Sequence, residues 1–445
     1  MRVAVVGGGM GGLTAARALV AAGFDAQVME AGPRPGGVVG TSRVAGFARE
    51  HAASSFLGNA PRGALALCKE LGVAVDRASP RAKRRWIFLD GRLRALPTNP
   101  IELARSDLLT WRGKLALLRE PFAPAHAGGD DESMYAFASR RLGAEAARAI
   151  VAPFVTGVFA ADARDVSLAA GFPKLAALDR AGGLVRGSAA QAVRALAKRA
   201  RGGERLPRGM FAPAGGVGTL ADALASSLGP RVHLGTRVHE IAPASGGVIV
   251  DRERWDACVL ALPAADAAAL VVDALPELAA KLEPFYRAPV ALVYLGVPEA
   301  AVPRAGEGFG FLVAQGEDLR VLGAVFESTV WPDRAPAGQA LLRCIFGGGR
   351  DPDAASLTDA ELIALARRDV AHALGTRDLE PTHASVVRWD AGIAQYQLGH
   401  AERVRAAVTA ARGHRIALAG ADYRGTGLND LCADADVVVA ELRSW

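Results

Sequence analysis

Cysteine is scarce in this 445-residue chain, and Cys68, Cys258, Cys344 and Cys432 stand far apart with no close pairing. That spacing excludes a zinc ribbon and a disulfide framework, and it reads as four free thiols in a reducing compartment, with no metal site expected. Long apolar runs are missing as well. The most apolar stretch, Ala257 to Leu275, is broken by Pro263, Asp266 and Asp273, so no membrane-spanning helix is expected. Because a strand pattern starts at residue 2, no signal peptide is expected either, which points to a cytoplasmic protein, soluble or peripheral. Lysine is rare beside arginine. The formal charge of +6 and a pI of about 9.4 favour anionic partners in general, without marking nucleic acid as one. What is abundant is apolar: 51% of the residues, enough at this length for two or three domains with sizeable cores.

The first fifty residues carry the clearest pattern. Arg2 to Gly7 reads as a short buried strand, Gly7 to Gly12 as a glycine turn, and Leu13 to Ala22 as an alanine-rich helix closed by Gly23. Gly7, Gly9 and Gly12 fall at the G-x-G-x-x-G spacing, where side chains would block the tight turn, the approach to a pyrophosphate and the packing of helix on strand. The helix N-terminus adds N–H donors and partial positive charge for phosphate. A second strand, Ala26 to Glu30, ends in a carboxylate placed to accept from ribose hydroxyls, where a 2′-phosphate would be repelled. Strand, turn, helix, second strand and acid together predict dinucleotide binding. Arg34-Pro-Gly36-Gly37 follows at once, a second glycine pair where a nicotinamide domain goes on to another crossover helix.

Further along, Trp86 to Leu89 and Arg92 to Leu96 around Asp90-Gly91 predict a hairpin beside the basic cluster Arg81, Lys83, Arg84 and Arg85. Residues from about Pro97 to Arg205 read as mostly helical, with a fresh start at Asp131-Glu-Ser133. A glycine turn at Gly215 to Gly218 opens a helix from Leu220 to Leu228. Strands are expected at Val232 to Leu234, Arg237 to Ile241, Val248 to Val250 and Ala257 to Pro263, the last returning to the nucleotide-binding sheet. Strand-like runs from Val290 to Val297, Phe309 to Val313, Val321 to Phe326, Ala340 to Phe346 and Ser385 to Trp389 surround a helix from Asp359 to Leu374 with Leu362, Leu365, Ala366 and Val370 on one face. That layout predicts an antiparallel sheet with helices. Ile416 to Gly420 is a last buried strand, running into Gly425, Gly427 and Asn429 and a C-terminal helix to Leu442. Both ends of the chain therefore build one dinucleotide site.

The two-part glycine arrangement looks like the FAD domain of the amine oxidase and phytoene desaturase flavoproteins, which favours FAD over NAD. Five further stretches make the chain resemble the protoporphyrinogen oxidase family nearly end to end: Ala82 to Pro97, Phe154 to Asp162, Gly308 to Val313, Gln395-Tyr396-Gln-Leu-Gly399-His400 and Tyr423 to Asp430. The resemblance implies an α/β fold: an FAD/NAD(P)-binding Rossmann-like domain, an α+β substrate domain and an inserted all-helical subdomain. The expected division is FAD-binding at 1–80, 208–270 and 413–445, substrate domain at 81–97 and 271–412, and a helical, membrane-associating part at 98–207. It implies oxidation of protoporphyrinogen IX to protoporphyrin IX in heme biosynthesis, in three two-electron steps by FAD, O2 taking the electrons and leaving as peroxide. Coproporphyrinogen III oxidation is the near alternative. It extends the cofactor set from Gly7, Gly9, Gly12, Glu30, Gly36 and Gly37 to Met10, Gly11, Ala31, Arg34, Val238, Gly420, Gly427 and Leu428. Arg85 is expected to pair with a propionate, Gly157 to offer its carbonyl to pyrrole N–H groups, and Leu312 and Trp331 to sandwich the macrocycle. Expected partners are the porphyrinogen, O2, a membrane surface met through Arg194, Lys198, Arg199, Arg201, Arg205 and Arg208, and ferrochelatase or a second copy.

Bland alternatives stand beside each assignment. The Arg81 to Arg94 cluster could coat a solvated hairpin, Gly157 could be a turn glycine chosen for its backbone angles, His51 a polar contact, His400 a cap after Gly399, and Asn429 the N-cap of the last helix. The chain also departs from the family pattern: Trp331 replaces Phe, Ala52-Ala53 replaces Gly-Pro, Ala394 replaces Pro and Ala421 replaces Asn. These departures bear on cofactor affinity and turnover. An amine oxidase or carotenoid desaturase on the same scaffold, or a flavin or porphyrin carrier without turnover, are the competing functions.

Overall fold

In a computed structural model, the structure describes residues 1–445 apart from 127, 129, 201–205, 303–307 and 378, with the backbone alone for 195–200. Five parallel strands form the first layer, in the order Val232–Leu234, Asp25–Glu30, Arg2–Val6, Ala257–Leu260, Ile416–Leu418. The central strand is β-branched and buried on both faces, as a parallel sheet covered on each side requires. Val3 and Val5 pack against the helices Met10–Ala21, Gly218–Leu228 and Leu428–Arg443. Ala4 and Val6 turn to the other face, where the helices Ala264–Val271, Pro276–Leu282 and His400–Arg412 join a small antiparallel sheet of Ile241–Ala244, Gly247–Val250 and Glu253–Trp255. One chain thus returns three times to a sheet begun in its first six residues. The four cysteines are free, three of them buried, as expected.

The second layer is a seven-stranded sheet: His383–Ala394, Arg287–Pro298, Gln339–Gly347, Gly323–Phe326, Gly310–Val313, Arg85–Leu89 and Arg92–Ala95. Its joins are antiparallel except one. Gly310–Val313 runs parallel to Arg85–Leu89, because the hairpin arrives from a distant part of the chain and not through a turn. Strand alternation splits this sheet cleanly. Ala291, Val293, Leu295, Leu342, Cys344 and Phe346 pack on the helix Asp359–Leu374 through Leu362, Ala366 and Val370, while Val290, Leu292 and Tyr294 point to the opposite side. That helix starts at a capping box, Thr358 with Glu361, and stops at Gly375 in the left-handed conformation.

One sequence expectation about strands gives way, and one pair of strands is new. Residues 235–240 form no strand; the N–H groups of His239 and Glu240 both donate to the Asp251 carboxylate, at 2.8 and 3.0 Å, so the ladder begins only at Ile241. A hairpin not foreseen, Thr41–Val44 with Phe47–Glu50, turns through Ala45 and Gly46 at φ 50° and 83°.

The helical region begins its helices where short polar side chains cap them: Asn99 before Pro100–Arg105, Thr110 before Trp111–Leu118 and Ser133 before Met134–Leu142. Its packing includes a buried charge cluster. Arg141 meets Asp179 at 2.5 Å and Glu120 at 3.9 Å, and Arg140 bridges Asp179 and Glu132. Arg141 and Glu120 are each only 2% exposed, so Arg141→Ala strands a buried carboxylate. Urea unfolding of that variant is expected to lose roughly 3–5 kcal/mol; a loss below about 1 kcal/mol would show that the cluster relaxes into water.

Candidate active site

A cavity of about 1550 Å³ opens where these layers meet. Its walls come from the carboxyl ends of the parallel strands (Val6, Met29, Glu30, Ala261), one face of the seven-stranded sheet (Val290, Leu292, Arg343, Ile345) and the helical region (Phe137, Ile150, Phe154, Gly157). The carboxyl ends of parallel strands are where an α/β sheet leaves a crevice. One ligand commonly fills about 300–1,000 Å³, so this space suits two molecules in contact.

The half beside the parallel sheet is a cradle made by backbone. Gly7 turns at φ 105°, and a Cβ on Gly12 would sit 1.9 Å from the Gly7 carbonyl oxygen, so Gly12 is a packing glycine that does not face the cavity. Gly7, Gly9, Met10 and Gly11 do line it. The helix Met10–Ala21 follows Gly9 with no side-chain cap on its first N–H groups, which leaves donors and dipole for an anion. The Glu30 carboxylate accepts from the N–H groups of Gly8 and Gly32, each at 2.7 Å, which fixes it at the wall with acceptor capacity left for hydroxyls. Ala31, Arg34, Gly36 and Gly37 continue that wall; the Arg34 guanidinium donates to the carbonyls of Gly37 (2.8 Å) and Val39 (2.9 Å), stiffening the second glycine loop. Val238 reaches the cavity from the unpaired segment before Ile241. From the far end of the chain come Gly420, Gly427 and Leu428. A Cβ on Gly420 would meet nothing within 4 Å, so this turn presents bare backbone to the space. Glycine-lined walls, an uncapped helix start and a held carboxylate fit a dinucleotide.

The other half is apolar. Gly157 lies in the last turn of the helix Ala152–Phe159, which Ala160 ends at φ 49°. Carbonyls of a last turn have no intrahelical donor and carry the negative end of the dipole, so the Gly157 carbonyl is an available acceptor. The residue is helical and not a positive-φ turn glycine; what demands glycine is space, since a Cβ would lie 2.8 Å from Leu312 Cδ2. Leu312, on the strand Gly310–Val313, packs directly against it, and both line the cavity. Arg85 stands on the neighbouring strand, its guanidinium 5.1 Å over the Phe309 ring and 3.9 Å from Met210 Sδ, with no ion pair among the described residues. Trp331 does not join them. It is 2% exposed and packs with Ala82, Ala212, Val325 and Val330, outside the cavity lining, at the end of the short helix Glu327–Val330 that follows the strand Gly323–Phe326. The aromatic residues that line the cavity are instead Trp86, Phe137, Phe154, Phe309, Phe311 and Trp389.

The Gln395–His400 stretch acts behind the cavity. Gln395 donates to the Phe159 carbonyl at 2.9 Å, holding the end of the Gly157 helix. The Tyr396 hydroxyl donates to the Ala421 carbonyl (2.8 Å) and accepts from the Gly425 N–H (2.6 Å), pinning the C-terminal turn. His400 stacks on Tyr396 at 4.0 Å, and burial pushes its pKa down to about 4, so it is a neutral packing ring. His51 does face the cavity, with a ring nitrogen 3.0 Å from Ser42 Oγ; burial, then Arg34 and Arg49, lowers its pKa. Asn429 is not the cap of its own helix. Its side chain accepts from Ala64 N–H at 2.9 Å and donates to Leu57 O at 2.8 Å, capping the helix Ala64–Glu70 across the core.

Comparison with known proteins agrees with this geometry. The family profile of flavin containing amine oxidoreductases matches residues 10–430. The chain is 31% identical over 437 residues to the chloroplastic protoporphyrinogen oxidase of Oryza sativa subsp. japonica, covering 91% of this chain and 81% of that one. It is 26% identical over 478 residues to the coproporphyrinogen III oxidase of Bacillus subtilis (strain 168), covering 100% and 98%. In fold it is similar to a crystal structure from Exiguobacterium sp. 255-15, with TM-score 0.81, 24% identity and 99% of each chain covered. It is also similar to cyclohexylamine oxidase from Brevibacterium oxydans IH-35A, with TM-score 0.68, 19% identity and 99% of each chain covered.

The cradle yields a direct test. Glu30→Ala removes the wall acceptor and frees the N–H groups of Gly8 and Gly32. The dissociation constant of the dinucleotide, titrated into apoprotein by fluorescence, is expected to rise by roughly one to two orders of magnitude. An unchanged constant would mean that the dinucleotide does not use this carboxylate.

Proposed function

Since the chain belongs to the family of flavin containing amine oxidoreductases and uses FAD, we propose that it oxidises a porphyrinogen, protoporphyrinogen IX to protoporphyrin IX in heme biosynthesis, with O2 as the final acceptor. The observation that carries this is the apolar half of the cavity. Gly157 and Leu312 pack together in its wall beside Ile150, Val151 and Phe154, and Arg85 also lines it, without a carboxylate partner among the described residues. A flat, apolar macrocycle with carboxylate arms suits such a slot.

Bound FAD would supply the two-electron chemistry, taking hydride from the substrate and passing electrons to O2. The protein's own part is placement. Leu312 and the helix Ala152–Phe159 hold the ring in a dry space, where orientation towards the cofactor half is worth more than any added base. The Gly157 carbonyl accepts a pyrrole N–H, which orients the ring and draws positive charge towards the helix C-terminus as hydride departs. Arg85 pairs with a propionate at the mouth. The backbone N–H groups at the start of the helix Met10–Ala21 hold the pyrophosphate, and the Glu30 carboxylate the ribose.

Mixing the anaerobic flavoprotein with protoporphyrinogen IX is expected to bleach the flavin, and admitting O2 to give porphyrin fluorescence and peroxide. Absence of both with protoporphyrinogen IX and coproporphyrinogen III would refute the reading, and flavin that binds substrate without bleaching would identify a carrier. Coproporphyrinogen III is the alternative substrate supported by the end-to-end likeness to the Bacillus enzyme, and the ratio of kcat/KM for the two decides between them. Arg85→Ala is expected to raise KM by roughly tenfold or more with kcat nearly unchanged; a fall in kcat alone would count against propionate pairing.

Among the described residues no helix is long and apolar enough to cross a membrane. Peripheral contact has a different support. Trp111, Leu115, Leu118 and Phe122 are 66, 43, 72 and 81% exposed, follow one another at helical spacing, and are interleaved with Arg112, Lys114 and Arg119. Such a face lies in the headgroup region of an anionic bilayer. Of the basic residues expected to do this, Arg194 and Arg208 are exposed, whereas Arg201, Arg205 and the side chains of Lys198 and Arg199 lie outside the described residues. Flotation with vesicles containing phosphatidylserine is expected for the wild type and lost in the Leu118→Glu, Phe122→Glu double variant; a protein that sediments from both preparations has no such contact.

A further inference from the structure

Residues 51–55 run along the cavity wall and belong to no strand. This strap starts on the cofactor side, where His51 N–H donates to the Gly40 carbonyl at 2.8 Å, next to the Arg34 guanidinium. From the other side it is held by three adjacent strands of the seven-stranded sheet, His383–Ala394, Arg287–Pro298 and Gln339–Gly347. The Tyr294 hydroxyl donates to the Glu50 carbonyl, the Trp389 indole N–H to the His51 carbonyl (2.7 Å), and Arg343 to the Ala52 carbonyl (2.9 Å) and Ser54 Oγ (3.0 Å). Three successive carbonyls thus take donors from three neighbouring strands. The strand register makes this possible, because Tyr294 pairs with Arg343 and Val290 with Trp389, so all three donors share the cavity face. Arg343 is 8% exposed and faces Glu327 at 2.9 Å, itself 1% exposed, so its position is fixed by charge on one side and by the strap on the other.

We propose that Arg343 is a positioning residue for the flavin: with Trp389 and Tyr294 it sets the strap that forms the wall shared by the cofactor and substrate halves of the cavity. The two alanines in the strap, Ala52 and Ala53, impose no conformation of their own, so the side chains of the opposing sheet impose it. The strap is thereby a mechanical link, since a change in the substrate-side sheet reaches the cofactor wall through three hydrogen-bond donors. The inference rests on the reading that this cavity holds FAD beside a porphyrinogen.

Arg343→Lys keeps a cation beside Glu327 but cannot span Ala52 O and Ser54 Oγ together, while Ser54→Ala removes the far acceptor alone. Each is expected to retain bound FAD, to change its visible circular dichroism, and to slow anaerobic flavin reduction by porphyrinogen roughly tenfold. The double variant should be no slower than Arg343→Lys alone, because both changes break one shared contact. A merely structural role would lower the melting temperature while leaving dichroism and reduction rate per bound flavin untouched, and that result in both single variants overturns the proposal. So does a double variant whose loss is the product of the single losses. Should Arg343→Lys fail to fold, Ser54→Ala and Trp389→Phe carry the same two readouts. If wild-type flavin is not reduced by either porphyrinogen, the functional reading fails instead, and the dichroism of the FAD-loaded variants still tests the strap.

Discussion

Two backbones meet at a distance that side chains forbid, and the rest of the molecule is arranged to keep them there. Gly11, at the start of the first helix, lies so near Gly420 that a Cβ on Gly11 would be 2.9 Å from the Gly420 Cα. The contact joins the two ends of the chain into one cradle. Secondary contacts hold it shut: Thr14 Oγ1 lies 3.3 Å from the Leu431 carbonyl, and the Asp434 carboxylate accepts from Gly420 N–H at 2.9 Å while paired with Arg424. The parallel sheet beneath puts the Ile416–Leu418 strand two places from Arg2–Val6, which is what brings these turns together.

Much of the cofactor half is legible in the sequence because its signals are local. A buried strand, three spaced glycines, a helix and an acid at the end of the next strand each announce themselves within a few residues. The substrate half is legible only where family likeness carries it, as at Arg85, Gly157 and Leu312, all of which reach the cavity. Trp331 shows the limit. Its aromatic character suggests a stacking wall, but it is buried with Ala82 and Ala212, partners far away in sequence. Arg343 and Trp389 show the converse: nothing near them in sequence marks them, since their place depends on the register between distant strands. Gln395 to His400 is conspicuous as a motif, yet its side chains brace the Gly157 helix and the Gly425 turn from behind. A motif can thus report position in a scaffold as readily as contact with substrate.

The surface between the two sheets is not an oily seam. Arg334 meets Glu50 at 3.1 Å, both nearly out of water, and Arg287 holds Asp422 at 2.8 Å. Burial pushes the Glu50 pKa up to about 7, against the Thr41 hydroxyl and Arg334, which favour its charge. Such pairs add little net stability, because desolvation offsets most of the attraction. What they do is make any other docking of the sheets unfavourable, since a slip of a few ångströms leaves a charge buried without its partner. For a cavity whose two halves must face each other, uniqueness of docking matters more than strength.

The sheet that starts at Arg2–Val6 receives its Ile416–Leu418 strand some 400 residues later, with the Gly420 turn that completes the cradle. On a ribosome adding roughly 5–20 residues per second, that interval lasts on the order of tens of seconds. Throughout it, Ala257–Leu260 or its predecessor is an open sheet edge, and the glycine turn at Gly7 to Gly12 has no opposing wall. The cradle is therefore complete in this topology only once the Ile416–Leu418 strand and its Gly420 turn have been made. The half-built sheet, apolar and edge-exposed, is the species that a chaperone would have to shield while the chain is being made.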